Sequence, residues 1–365
     1  MIEYFSCMSK QILASTKTNQ GEKTTMKIRN LILVLSALAL PLQAADVGTT
    51  QLSLPIPVTP GETKLIGVFL ARPALKKGEL KEAVALNATA ITAYNSTATP
   101  FFNGYTAASE TGAAELAPAS DDHYILEFTS GPSTGLIKQV VSFSGDVANV
   151  RGGLPALTSG TRFILRKDHT IASLFGPTTD SPLKIFEGGD PGDADVVGVL
   201  TKAGAWKRYF YQTGFGWRDV NDRGTPTYSG ADRKYVRVST GTGFSFKPID
   251  GNVLYLTGEY RGTRSRISLS GYTTLVANPY PKAVSLKDSG LANYVTSYTT
   301  PTGADSLRFL ENNKYVSYFY HSGGNFKKST GLAVADTKTI GVGEAFLIVP
   351  QKAEDLAFAP QYISK

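Results

Sequence analysis

AWKRYFYQTGFGWRD occupies residues 205–219, and KYVSYFYHSGGNFKK returns at residues 314–328. Tyr209 to Trp217 aligns without a gap on Tyr318 to Phe326, YFYQTGFGW against YFYHSGGNF. Each stretch is an aromatic run, a Gly-containing break and a shorter return run, which is the pattern of an antiparallel hairpin. In a strand, successive side chains point to opposite faces. Trp206, Arg208 and Phe210 therefore share one face, and Lys207, Tyr209 and Tyr211 share the other. In the second copy Tyr315, Ser317 and Phe319 match the first set, and Val316, Tyr318 and Tyr320 match the second. Neither face is plainly wet. Trp217 and Phe326 on the return runs are placed to meet the aromatic strand as cross-strand pairs.

The likeness extends outward from the hairpins. ADVVGVL (194–200) aligns with ADSLRFL (304–310), one residue out of step with the hairpins because of the intervening turn. VSTGTGFSFKP (238–248) aligns with IGVGEAFLIVP (340–350), and LTSGTRFILRK (157–167) reads as a weaker echo of that element. A repeat of this kind is one supersecondary unit used more than once.

The rest of the chain speaks the same language. Short apolar-alternating runs such as TKLIGVFLA (63–71), HYILEF (123–128), LIKQVVSF (136–143), TRFILRK (161–167), NVLYLTGEY (252–260) and TTLVAN (273–278) are separated by Gly, Pro, Asn and Asp. This predicts an all-β fold of antiparallel β-sandwich or partly open barrel segments, with an internal repeat in the C-terminal half. Only HTIASLFG (169–176) and VSLKDSGL (284–291) carry a short helical signal. The expected division is a β segment over 45–188 and a second, with the tandem aromatic repeat, over 189–365.

MKIRNLILVLSALALPLQA (26–44) reads as a secretory signal peptide: Lys27 and Arg29, an apolar run Leu31–Leu40, Pro41, and a cleavage site ending at Ala44. Residues 1–25 resemble no targeting segment and read as an N-terminal extension upstream of a true start at Met26. The only cysteine is Cys7, so the chain from Ala45 has no thiol and no disulfide. That chain holds 32 Lys/Arg and 28 Asp/Glu, without runs of like charge. Nucleic-acid binding would call for a clustered basic stripe, so no such partner is inferred. No apolar stretch after the signal is long enough for a transmembrane helix. The expectation is an exported protein in the periplasm, at the cell surface or outside the cell.

FLARPALKKGEL (69–80), EFTSGPSTGLIKQV (127–140), DHTIASLFG (168–176) and ADVVGVLTKAGAWKRYFYQTGFGWRDV (194–220) follow one another in an order that resembles a family of exported proteins from verrucomicrobial bacteria. The resemblance covers most of the chain after the signal. The second copy departs from it with Tyr315 in place of Trp206 and Phe326 in place of Trp217. It implies export and an all-β repeat, and it implies no catalytic residue or cofactor.

Several constellations are candidates for chemistry. Gly131-Pro132-Ser133-Thr134-Gly135 fits G-x-S-x-G, but a β-like run follows where a nucleophile elbow needs a helix, so a hairpin turn is expected. His123, His169 and His321 lack metal-ligand spacing. His321 corresponds to Gln212 in the first copy, which points to a polar strand end. Glu187, Asp190, Asp193 and Asp195 in EGGDPGDAD are hard oxygen ligands of the kind that hold calcium, although the second copy keeps only Asp305. Asp219, Asp222, Asp232 and Glu259 offer carboxylates for a glycosidase-type pair. NPYP (278–281) reads as a rigid turn. Trp206, Tyr209, Tyr211, Trp217, Tyr318 and Tyr320 are the candidate ligand-binding residues if the aromatics stack on sugars. The leading expectation is a non-catalytic protein with a structural, adhesion or binding role toward envelope or extracellular polysaccharide or protein, without a cofactor. A carbohydrate-binding module is the alternative, and a secreted hydrolase the third reading.

Overall fold

The structure is a computed structural model. It describes residues 51–108, 120–176, 188–201, 203–221, 232–250, 253–261, 265–269, 272–352 and 354–357. Gln51–Pro57 (β1) and Lys64–Gly67 (β2) come first. Ala74–Glu79 (β3), Ala90–Thr92 (β4), Tyr124–Phe128 (β5), Ile137–Ser144 (β6), Val147–Val150 (β7) and Arg162–Lys167 (β8) form one antiparallel sheet among themselves, in the order β3-β8-β5-β6-β7-β4. Its edge strands touch through a single bridge between Leu80 and Ala93, and the sheet curls without closing into a barrel. Phe101, Phe102, Leu126, Phe128, Phe163 and Leu165 fill its interior. LTSGTRFILRK supplies β8, which lies between β5 and β3 in the same place in the strand order that its expected counterparts, residues 243–247 and 345–349, take in the two five-stranded sheets.

His169–Thr170 (β9) leads into a short helix, Ile171–Phe175 (α1). The Thr170 hydroxyl accepts from the Ser173 N–H at 3.2 Å, and the Ser173 hydroxyl accepts from the Thr170 N–H at 2.8 Å. This reciprocal cap starts a helix too short to hold itself. Val196–Leu200 (β10), Trp206–Gln212 (β11), Gly216–Asp219 (β12), Arg237–Val238 (β13), Gly243–Lys247 (β14) and Val253–Glu259 (β15) complete the first half. Arg266–Leu269 (β16), Thr274–Ala277 (β17) and Val284–Ser285 (β18) open the second, followed by two 3-10 turns at Lys287–Ser289 and Leu291–Asn293. Ser306–Glu311 (β19), Lys314–His321 (β20), Asn325–Lys328 (β21), Thr339–Ile340 (β22), Ala345–Val349 (β23) and Glu354–Ala357 (β24) end it.

The pairing shows a duplication wider than the hairpins. One five-stranded sheet runs β12-β11-β10-β14-β2 and the other β21-β20-β19-β23-β17, the same order in corresponding strands. The small pairs correspond as well: β9 with β13 as β18 with β22, and β1 with β15 as β16 with β24. Each half thus begins and ends on two strands that pair with each other. Residues 68–168, with the six-stranded sheet, stand in the first half where the second has only residues 278–283. Strands β1 and β2, from before residue 188, pair with β15 and β14 from beyond it.

The offset between the two copies has a local cause. Asn312 and Asn313 join β19 to β20 with φ of 49° and 59°. This is a two-residue turn of the type whose twist suits a hairpin. In the first copy the Thr201 N–H bonds the Ala205 carbonyl at 2.8 Å and encloses three residues, with Gly204 at φ 77°. One copy therefore has one loop residue more than the other.

Each five-stranded sheet has its own apolar core. Tyr209, Trp217, Phe175, Phe244 and Phe246 lie in the first. Tyr318, Phe326, Phe309, Phe346 and Ile340 lie in the second. A smaller cluster of Leu65, Leu275, Ala345 and Leu347, with Leu200, Leu310 and Trp206 against it, lies where the two sheets meet. Among the described residues no helix is long and apolar enough to cross a membrane, and no disulfide is formed.

Candidate functional site

The six candidate aromatics are shared among three packing clusters. Tyr209 and Trp217 are buried in the first core, and Tyr211 is half-buried against it. Tyr211 is paired with Trp217 across the strands, ring centroids 5.8 Å apart and planes at 88°. Tyr318 is buried in the second core, and Tyr320 packs on Phe326 at 4.9 Å in the equivalent pairing. The Trp217 indole N–H donates to the Gly176 carbonyl at 3.1 Å. The Tyr318 hydroxyl donates to Glu311 at 3.0 Å, and burial together with that carboxylate pushes it up to about 12. Trp206 is half-buried between the sheets, and its indole N–H meets the hydroxyl of Tyr315, which stays 46% exposed.

The acidic loop is built as a turn. Residues 188–195, GGDPGDAD, correspond to residues 298–305, YTTPTGAD. In both, the sixth residue bonds the third: Asp193 N–H to Asp190 carbonyl at 3.0 Å, and Gly303 N–H to Thr300 carbonyl at 3.3 Å. The loop keeps its course where threonine and glycine replace the acids, so its carboxylates do not set its shape. Asp195 is buried, and its Oδ1 accepts the Ile249 N–H at 2.7 Å. Glu187 and Asp222 lie outside the described residues. Among the described residues no three His, Cys, Asp or Glu side chains gather in a way that would hold a metal ion.

The remaining candidates also have structural work. Gly131–Gly135 is the turn between β5 and β6: the Thr134 N–H bonds the Gly131 carbonyl at 3.1 Å, and Ser133 is buried. His123 meets the Tyr235 carbonyl at 3.0 Å and His169 the Leu70 carbonyl at 3.0 Å, each through Nε2. His321 accepts the Gly323 N–H at 2.9 Å at the end of β20. Asn278 of NPYP is fully buried, and its amide N–H groups reach the Lys282 and Gly341 carbonyls at 3.0 Å each. Asp219 lies 3.6 Å from the Lys207 ammonium, and Asp232 accepts the Trp217 N–H at 3.2 Å.

The main polar constellation was not singled out from sequence. It lies where the six-stranded sheet meets the first half of the duplication. Arg166 on β8 pairs with Glu127 on β5 at 3.0 Å and with Glu259 at the end of β15. Arg261 lies 3.6 Å from the other oxygen of Glu127, and its NH2 bonds Ser265 at 3.0 Å. All four charged residues are buried. Beside them, Asp168 accepts from the Arg237 guanidinium at 2.6 Å and from both the N–H and the hydroxyl of Thr240 at 2.8 Å. Burial alone would raise the Asp168 carboxyl; Arg237 and the two Thr240 bonds outweigh it and hold it below the usual carboxylate range. Burial lowers His169, with partial opposition from Asp168, so the imidazole is neutral. Arg72 bridges to Asp121 at 2.8 Å at the partly exposed rim. The sequence did contain a signal: Glu127 in YILEF and Arg166 in RFILRK are charges inside apolar strands, and a buried charge demands a partner.

Charges matched in this way, three acids against three arginines and each bonded, are a joint between two bodies of β-sheet. Breaking one member of such a buried network leaves its partner uncompensated. Compared with family models, with curated proteins and with solved structures, the chain finds no match.

Proposed function

We propose that the protein is exported by the segment at residues 26–44 and serves as a non-catalytic scaffold or binding protein of the envelope or extracellular space. The observation that carries this reading is the use made of the doubled aromatic hairpins. Tyr209, Trp217, Tyr318 and Phe326 hold two sheets together from within. Asp168 and His169, two fully buried ionisable groups with displaced proton affinity, are consumed by the joint described above. The order of motifs that resembles exported verrucomicrobial proteins agrees with it. Expression of the full gene, cell fractionation and N-terminal sequencing test the export: a product starting at or next to Ala45 outside the cytoplasm is expected. A product starting at Met1 in the cytoplasm would sink this part.

A second reading, carbohydrate binding, is favoured by one observation. Trp206 and Tyr315 occupy equivalent places in the two repeats and lie side by side with Tyr315 open to solvent. An aromatic face of this kind stacks on sugar rings. A pull-down on insoluble polysaccharides with the wild type and with Tyr315→Ala separates the readings. Loss of retention in the variant supports stacking at this pair, and equal behaviour of the two removes it.

A further inference from the structure

The contacts by which the two five-stranded sheets and their adjoining strands meet come in reciprocal pairs, while Arg266 separately bonds Gly135 and Pro132 of the six-stranded sheet. The Gly67 N–H donates to the Gly343 carbonyl at 2.8 Å, and the Ala277 N–H donates to the Gly241 carbonyl at 3.1 Å. Gly67 corresponds to Ala277, and Gly241 to Gly343. The Thr63 N–H donates to Asn313 at the tip of one hairpin at 3.0 Å, and Gly204 at the tip of the other lies against Thr273. Here too the partners exchange: Thr63 corresponds to Thr273, and Gly204 to the Asn312–Asn313 turn. Ile56 on β1 packs on Gly343, and Ile267 on β16 packs on Gly241. Trp206 meets its own counterpart, Tyr315.

A contact in which residue a touches residue b while the partner's b touches a is the signature of a twofold, self-complementary interface. The residues nearest its axis bear this out sterically. A Cβ on Gly67 would lie 2.6 Å from the Ala277 Cβ, so two alanines cannot face each other there. A Cβ on Gly243 would lie 3.1 Å from the Ala345 Cβ at the next corresponding pair, and 2.2 Å from the Ile66 carbonyl oxygen of its own sheet. In each case the first half carries glycine and the second alanine, a complementarity that two identical chains cannot have and one fused chain can. Each half also keeps its own core and closes its own first and last strands.

We infer that the middle of this molecule is a dimer interface joined into one chain: the surface each repeat turns toward the other is a docking face whose fitting partner is another repeat of the same type. The covalent link between Arg261 and Ser265 is then dispensable for the association. The test inserts a protease site between those residues in the full chain, cleaves it, and follows the products by size-exclusion chromatography with mass measurement. The two pieces are expected to travel as one particle. Trp206→Ala combined with Tyr315→Ala, outside both sheet cores, is expected to weaken the association of the cleaved pieces by about tenfold or more, as for central aromatics of an interface. Gly67→Leu is expected to separate them, with strand circular dichroism of the uncut variant as the folding control. If that variant does not fold, the aromatic pair alone decides. Separation of the wild-type pieces on cleavage would overturn the inference. So would equal association in every variant that folds.

Discussion

Asp195 and Asp305 make the same bond at corresponding places in the two sheets. Each buried carboxylate accepts the N–H of the residue after the proline that follows β14 or β23, Ile249 at 2.7 Å and Gln351 at 2.6 Å. Pro248 and Pro350 cannot donate, so the next N–H is the first available to anchor the chain as it leaves the sheet. Asp305 also accepts the Thr296 N–H at 2.7 Å through its second oxygen.

These clamps predict the effect of removing them. Asp195→Ala and Asp305→Ala each leave a backbone donor without its partner, at a cost of about 1–3 kcal/mol. Urea unfolding should show lower midpoints for both. Because the Asp195 carboxylate is spent on Ile249, adding calcium or a chelator should leave the wild-type midpoint where it is. A rise with calcium would return the acidic loop to the list of metal sites.

Gly67→Ala places a methyl group against Ala277 and should destabilise the protein by about 1–3 kcal/mol, the usual range for overpacking. Ala277→Gly in the same chain removes the closest obstruction, while the Ala277 Cα at 3.0 Å and the Glu344 carbonyl at 3.2 Å remain, and should restore part of the loss. Thermal unfolding of the single and double variants measures the coupling, and simple additivity would show that the two positions do not meet.

Acid should weaken the joint between the six-stranded sheet and the duplicated half in two steps. His169 has its folded pKa depressed by burial, so its contribution is complete above about pH 6.5 and declines as pH falls below that value. Asp168 is depressed as well, by Arg237 and Thr240 against the effect of burial, so its contribution declines as pH falls below about 4. His169→Gln should flatten the upper limb of a stability profile and leave the lower one. A profile unchanged between pH 7 and 5 in both proteins would contradict the buried neutral imidazole.

Arg166→Met strips Glu127 and Glu259 of their shared cation and should cost about 3–5 kcal/mol. Replacing these three residues together with Arg261 by apolar side chains of similar size should cost much less, since no charge of the cluster is then left stranded. Denaturant midpoints of the single and quadruple variants decide this.

Trp217→Ala should cost about 3–5 kcal/mol through the cavity it opens among Phe175, Tyr211 and Phe244. Tyr315→Ala, partly exposed, should cost far less. A reversal of that order in thermal unfolding would mean that the hairpins do not act as core.

The class of fold and the hairpins were written in the local pattern. Period-two alternation with aromatic residues on both faces and glycine at the breaks left YFYQTGFGW no good helical alternative, and the cross-strand meetings of Tyr211 with Trp217 and Tyr320 with Phe326 follow from the register that such a hairpin adopts. The short helix at Ile171–Phe175 was legible because Thr170 and Ser173 cap each other within four residues. The full extent of the duplication was not legible, because β2 and β17 share little beyond a Thr-x-Leu start and are followed by very different lengths of chain. Which sheet a strand joins depends on hydrogen bonds to residues far away in sequence, as β1 joins β15. The ionic joint depends on the same thing. Glu127, Arg166 and Glu259 are ordinary charges until folding brings three distant strands together and removes the water, and only then does each require the others.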